Sequence, residues 1–249
     1  MTRRLWRRIL SIDWDYFVDC REMLYVEDYI HYCGVEWLKR EKVWKDKYNK
    51  TVREKVPFTG PTPQTFLKHF DLSGVKFLDI RRSHAEIMEV LGGIIAEGRL
   101  GLGDLEVVNV DAHHDILYSR EDLADFKIKR YTCGNWGGTL VHFGLAKSLT
   151  QVYPSWRSKV REMVFKVKLG RGIDSFIRAK RWAGLHHVHV IESRLHAVKG
   201  FKPDVIFICW SGPWVPPVYD DKFVELCKAV MKRGGFGNPE NHTLRFPRF

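Results

Sequence analysis

Residues 107–118 read VVNVDAHHDILY, an apolar run from Val107 to Val110 that passes directly into Asp111, Ala112, His113, His114 and Asp115. The apolar half, extended backwards as LEVVNV, predicts a buried strand. The polar half puts carboxylates and imidazoles where that strand should end. If strand geometry continues through it, Asp111, His113 and Asp115 point to one side, because side chains alternate with a period of two. Mixed carboxylate and imidazole donors without a thiolate suit Mn²⁺, Mg²⁺, Fe²⁺ or Zn²⁺. A solvated loop with an Asx-turn is the competing reading. It is the weaker one, because packing these groups against VVNV costs desolvation unless a cation or a hydrogen-bond network compensates.

Working outward, RILSIDWDYF (Arg8 to Phe17) reads as a second buried strand ending in Asp13 and Asp15, with Trp14 on the opposite face. Buried paired carboxylates need a cation or a shared proton, so the pair is a metal-ligand or nucleophile candidate; a helix-capping pair is the alternative. VKFLDI (Val75 to Ile80) is a third strand, handing over through His84 to the helix HAEIMEVLGGIIAEG, with Ile87, Met88, Leu91, Ile94 and Ile95 on its apolar face. His84 thus lies at a strand-to-helix junction, the usual place for site residues in an open α/β sheet.

The remaining pattern completes an α/β chain. Val26 to about Lys47 suggests helical segments, with Trp37 and Trp44 on one face. A basic, Pro- and Gly-punctuated excursion follows at about 39–64, and Thr62-Pro63 predicts a helix start running to His69. After the DAHHD run, residues 116–129 read as a loop with a short helix. Tyr131 to Gly138 follows, where Asn135 and Trp136 are substrate-binding candidates and the glycines allow close backbone approach to a ligand; an ordinary Gly-rich turn fits equally. A helix from Thr139 to Ser148 carries His142. Further strands are expected at Met163–Leu169, His187–Ile191 and Asp204–Trp210, with Glu192 at the end of the second. A helical stretch at 171–183 and an amphipathic helix from Asp220 to Met231 complete the pattern.

The bulk numbers agree with a single domain spanning 1–249. With 45% hydrophobic residues, 9 Trp and 15 Phe, the 249 residues bury a sizeable core. Five cysteines are odd in number and form no CxxC, which argues against a disulfide framework and for a reduced, cytoplasmic protein. Asp13 and Asp15 interrupt the apolar run that would follow MTRRLWRRIL in a leader, and no membrane span is expected. The net charge of +11 admits a nucleic-acid partner, but Lys and Arg are scattered, with concentrations only at 3–8, 39–55 and 158–181. A small-molecule substrate is therefore the favoured partner. Homo-oligomer formation is left open.

Asp13, Asp15, His84, Asp111, His113 and Asp115 all fall at expected carboxyl ends of strands. Together, HAEIMEVL, VVNVDAHHDI and SIDWD resemble three motifs of the ureohydrolase superfamily, the arginases and agmatinases with their histone-deacetylase-like relatives: a His at a strand-to-helix junction, then D-A-H-x-D, then S-x-D-x-D. CGNW after the second motif makes the chain similar also to the UPF0489 group of arginase-like proteins. The resemblance implies a three-layer α/β/α fold with a mostly parallel sheet and a binuclear Mn²⁺ centre, with Zn²⁺, Fe²⁺ or Mg²⁺ as alternatives. Asp111 and Asp13 would bridge the ions, His84 and Asp115 would complete one, and His113 and Asp15 the other.

By the same resemblance, the activity would be hydrolysis of a C–N bond in a guanidino or amide substrate by metal-activated hydroxide. His114 or His142 would protonate the leaving amine, and Glu192 would meet a cationic group. The chain departs from the family in order: its S-x-D-x-D strand opens the chain instead of following D-A-H-x-D. A circular permutation would reconcile the two. Otherwise the centre is incomplete or mononuclear, and VIFICWSG takes the place of the lost strand. Two other functions stay open. One is phosphoryl transfer, by a phosphatase using Asp13 as nucleophile and Asp15 as acid or by a metal-dependent nuclease; the other is a non-catalytic binding protein.

Overall fold

The computed structural model describes residues 5–19, 56–117, 124–125, 128, 130–159, 166–167, 170–171, 184, 189–212 and 214–236. Six strands form one sheet: β1 (Arg8–Asp13), β2 (Phe77–Arg81), β3 (Leu105–Val110), β4 (Ala146–Val152), β5 (His189–Ser193) and β6 (Val205–Cys209). The spatial order is β2-β6-β1-β3-β4-β5, and every pairing is parallel. This is a mostly parallel α/β fold, and the central strands are buried along nearly their whole length. Such strands read as continuous apolar runs because both faces are covered.

Each face has its own core. On one side Leu10, Ile12, Val108, Val110, Ile206 and Ile208 pack against Phe66 of α1 (Pro63–Leu67) and against Phe223, Leu226 and Val230 of α4 (Asp220–Gly234). On the other, Ile9, Val107, Leu149, Val205 and Phe207 pack against α2 (Ile87–Ala96) and α3 (Trp136–His142). The layers are thus helix, sheet, helix.

Local chemistry sets the ends of these helices. Thr62 caps α1, its hydroxyl oxygen accepting from Thr65 N, with Pro63 at the first position. Ser83 and Glu86 form a reciprocal capping box ahead of α2. In α4, Asp220 and Asp221 occupy the first turn and Lys232 and Arg233 the last, each matched to the helix dipole.

Several expectations are corrected. Residues 146–152, which the sequence reading assigned partly to a helix ending at Ser148, form β4 beside β3. The helix stops at His142, and Gly144 at φ +67° turns the chain into the strand. Of the strand expected at Met163–Leu169, only Lys166–Val167 is described as strand, and it pairs antiparallel with Gly170–Arg171 outside the main sheet. The helical stretch expected at 26–47, that expected at 171–183 apart from Arg171, and most of the excursion at 39–64 lie outside the described residues. No described helix is long and apolar enough to cross a membrane.

Candidate metal centre

Strand β1 lies between β6 and β3, with Ile12 opposite Val110 and Asp13 opposite Cys209. The carboxyl end of the first strand therefore stands directly beside the DAHHD run. The chain places β2 on one side of β1 and β3 on the other, so the crevice at their carboxyl ends is a topological switch point.

The site residues converge there by turns, which corrects the expectation of alternating strand geometry. Strand β1 ends at Asp13, and Trp14–Phe17 form a 3₁₀ turn in which Asp13 Oδ1 accepts from Asp15 N at 3.0 Å. Strand β3 ends at Val110; Asp111 Oδ1 then accepts from His113 N at 2.6 Å, and Asp115 takes a left-handed backbone with φ 49°. A non-glycine residue held in that region marks a backbone shaped by its surroundings. His84 opens the 3₁₀ turn His84–Glu86 behind β2.

All six candidate ligands are buried. His84 Nδ1 lies 3.0 Å from Asp13 Oδ2, 3.1 Å from Asp111 Oδ2 and 3.0 Å from Asp115 Oδ2. His113 Nδ1 lies 2.6 Å from Asp15 Oδ2 and 3.6 Å from Asp111 Oδ1. Asp111 is common to the two groups and sends one oxygen to each. Sets of ligand atoms within 4.8 Å of one another come from Asp15, Asp111 and His113, from His84, Asp111 and Asp115, and from Asp13, His84 and Cys209.

This donor set fits divalent cations on three counts. First, His84 Nδ1 makes no aligned hydrogen bond to any of the three oxygens around it. Three carboxylate oxygens within 3.1 Å of one imidazole nitrogen offer a cation a converging set of donors. Second, carboxylate oxygens and imidazole nitrogens are the donor types that divalent first-row ions take. Third, two divalent ions would neutralise the carboxylates of Asp13, Asp15, Asp111 and Asp115 and leave both imidazoles neutral, as ligands must be.

Without a cation the cluster compensates by sharing protons. Burial, and then the Asp13 and Asp111 carboxylates, raise the Asp15 carboxyl from an ordinary 3.8 to about 8. Burial and then Asp111 raise Asp115 well above its usual range. For His84 burial works to lower the pKa, but the Asp111, Asp115 and Asp13 carboxylates hold it well above the ordinary value. The same balance of burial against Asp15 and Asp111 raises His113. Asp111 is held well below its usual range: burial pulls it up, but His113 and His84 outweigh it.

A supporting shell orients these groups. His84 Nε2 is 2.6 Å from Ser11 Oγ; were Nδ1 to hold a cation, Nε2 would carry the proton and donate it to the serine. Asn109 Nδ2 donates to Asp111 Oδ2 at 3.2 Å and to Gln151 Oε1 at 2.9 Å. Ala112 N donates to Asp15 Oδ1 at 3.1 Å. Trp136 Nε1 donates to Asp115 Oδ2 at 2.8 Å, and its ring lies 4.7 Å from the His84 ring.

Of the five residues assigned substrate or catalytic roles from sequence, four are described with their side chains and Glu192 by its backbone alone. Trp136 is fully buried behind Asp115 and acts on the ligand, with no surface offered to a substrate. Asn135 accepts from Thr132 N at 2.6 Å and donates to Arg130 O at 3.3 Å, ordering its own loop. His114 is buried with Nδ1 accepting from Ile116 N at 3.2 Å, a turn-forming role. His142 is exposed at the far end of α3, which runs back toward the amino ends of the strands, so it is not brought to the cluster. Glu192 lies in the edge strand β5 opposite Gln151, with β4 between it and β3; its side chain lies outside the described residues. The glycines of CGNWGG serve packing: Gly137 N and Gly138 N donate to Asp115 O, and a Cβ at Gly138 would collide with the carbonyl oxygen of Ile116.

Ser11, Asn109, Gln151 and Cys209 were not singled out from sequence as site residues. Asn109 had a signal, a polar residue inside an apolar strand that must find partners when buried. Ser11 is two residues ahead of Asp13 and so shares its face. Cys209 had none, because its place depends on which strand pairs with β1. Compared with known proteins, the chain matches no family model, no curated protein and no solved structure.

Proposed function

We propose that the protein is a metal-dependent hydrolase that holds two divalent cations, Mn²⁺ foremost, and cleaves a C–N bond of a guanidino or amide substrate, as ureohydrolases do. The observation that carries this reading is Asp111, buried between two imidazoles brought from different strand ends and directing one oxygen toward each. His84, Asp115, Asp13 and Asp111 would hold one ion; His113, Asp15 and Asp111 the other, with Asp13 linked to Asp15 across the 3₁₀ turn. When bound, such a pair polarises the reacting carbon's substituent and lowers the pKa of a water held between the ions.

The chain's own residues contribute orientation. Ser11 fixes the His84 ring, Trp136 fixes Asp115, and the Asn109–Gln151 pair fixes Asp111. Buried carboxylates are the groups able to accept a proton from the attacking water, and protonation of the leaving amine falls to the same cluster, since His142 is remote. In the phosphoryl-transfer alternative Asp13 attacks as a free nucleophile. Here one Asp13 oxygen accepts from Asp15 N and the other faces His84, which favours the ligand role.

Elemental analysis after loading with Mn²⁺ and desalting, followed by a panel of guanidino, amide and phosphoester substrates, tests the reading. Two ions per chain with release of urea or ammonia is the expected result. Phosphate release, or a chain that retains no metal, overturns it.

A further inference from the structure

Cys209 ends β6, opposite Asp13 on one side and Arg81 on the other. Its side chain is buried on the face that also carries Phe207, whose ring stacks on His84 at 5.8 Å and 3°. The thiol donates a weak hydrogen bond to Arg82 O at 3.6 Å and also meets the backbone of Ser211. Its sulfur lies within 4.8 Å of ligand atoms of both Asp13 and His84. The second observation is the His84 Nδ1 atom itself, buried, without an aligned hydrogen bond, and 3.0 Å from the Asp13 Oδ2 of the same group. Among the described residues, no cysteine belongs to the corresponding group around His113, where the donors are Asp15, Asp111 and the imidazole.

We propose that Cys209 is a sulfur ligand to the ion in the His84 half, so that the two halves select different metals. The His84 half takes a borderline cation such as Zn²⁺, Fe²⁺ or Co²⁺, and the His113 half, whose donors among the described residues are oxygen and nitrogen, takes Mn²⁺ or Mg²⁺. This rests on the two-ion reading above and deepens it, replacing a uniform pair by a mixed one. Thiolate donors favour the softer ions, and carboxylates the harder. Coordination breaks the S–H bond, forms a sulfur–metal bond and releases the proton to solvent. Until a cation arrives, burial and then the neighbouring Asp13 carboxylate keep the thiol protonated and unreactive.

Titration of the metal-free chain with Co²⁺ tests this. The expected result is a thiolate-to-cobalt charge-transfer absorption in the near ultraviolet that saturates with one equivalent, together with visible ligand-field bands that continue to two. In Cys209→Ser the charge-transfer band should vanish while ligand-field bands persist. Zn²⁺ affinity should fall by about 10–100-fold while Mn²⁺ affinity in the His113 half changes by less than about 3-fold. Two bound equivalents with ligand-field bands alone, or a charge-transfer band that survives in Cys209→Ser, would overturn the sulfur ligand and leave the two-ion reading standing. Absence of bound cobalt by elemental analysis would overturn both. Should the serine variant not fold, the wild-type spectrum decides on its own whether sulfur is bound.

Discussion

Glu106 and Asp111 stand near opposite ends of the β3 chain path and are treated in opposite ways. Glu106, at the amino end, keeps about a third of its side chain exposed (32%) and lies 3.2 Å from Arg8 and 2.9 Å from Lys147. Asp111, just past the carboxyl end, is fully buried between two imidazoles, with three more carboxylates nearby. Exposed pairs of the first kind are screened and contribute little to stability. Buried carboxylates of the second kind destabilise the fold unless opposite charge compensates them. A chain that keeps four of them together bears that cost at a site able to hold a metal ion, and the contrast teaches where stability and the candidate site separate along one strand.

The widest break in that contrast comes from Asp111→Ala. Removing the carboxylate shared by both groups should reduce bound metal to background and hydrolysis by at least about 10²-fold. Metal content by elemental analysis and product release on the best substrate check it. Retention of both ions in this variant would remove Asp111 from the centre of the site.

Asp15→Asn sharpens the comparison on the stability side. An acid whose folded pKa is raised keeps its proton in the folded state while the unfolded chain loses it. The metal-free protein therefore loses stability as pH rises from about 3.8 toward about 8. Asparagine can still accept from Ala112 N but carries no charge. The metal-free variant should accordingly be more stable than the parent at pH 7.5, by about 1–3 kcal/mol, with the gain shrinking toward pH 4. Added Mn²⁺ should reverse the order, because the variant lacks a ligand of the His113 half and gains less by binding it. Urea unfolding in chelator at pH 4.5 and 7.5 measures this, and a variant less stable at both pH values would make Asp15 a structural residue.

The cluster of carboxylates and imidazoles was legible in the sequence because it lies in residue types at short spacing, as in DAHHD, SIDWD and His84 behind an apolar strand. Strands β1 and β3 were legible for a similar reason, as apolar runs with a polar end. What failed was information that is not local. AKSLTQV alternates like a strand only once Gly144 has broken the preceding helix, and the helical continuation through Ala146 and Lys147 is equally good by propensity. The approach of Asp13 to Asp111 depends on β1 inserting between β6 and β3. The nearness of Cys209 depends on the same insertion. The convergence of Asp111, His113 and Asp115 comes from a turn with Asp115 left-handed, which strand alternation does not predict.

The smallest effect belongs to the amino end, where Glu106→Gln removes the charge facing Arg8 and Lys147. Burial tends to raise the Glu106 pKa, but Lys147 and then Arg8 outweigh it and lower it from the ordinary 4.5. A depressed folded pKa contributes stability above the unfolded value and loses it as pH falls through the folded one, the opposite slope to Asp15. The glutamine variant should thus be less stable than the parent at pH 7.5 by no more than about 1 kcal/mol, and equal to it near pH 3. The difference should shrink further in 1 M salt, where screening reaches within about 3 Å. Bound metal should be unchanged. If instead Glu106→Gln lowered metal content as Asp111→Ala is expected to, the two ends of β3 would be coupled and the separation drawn between them would fail.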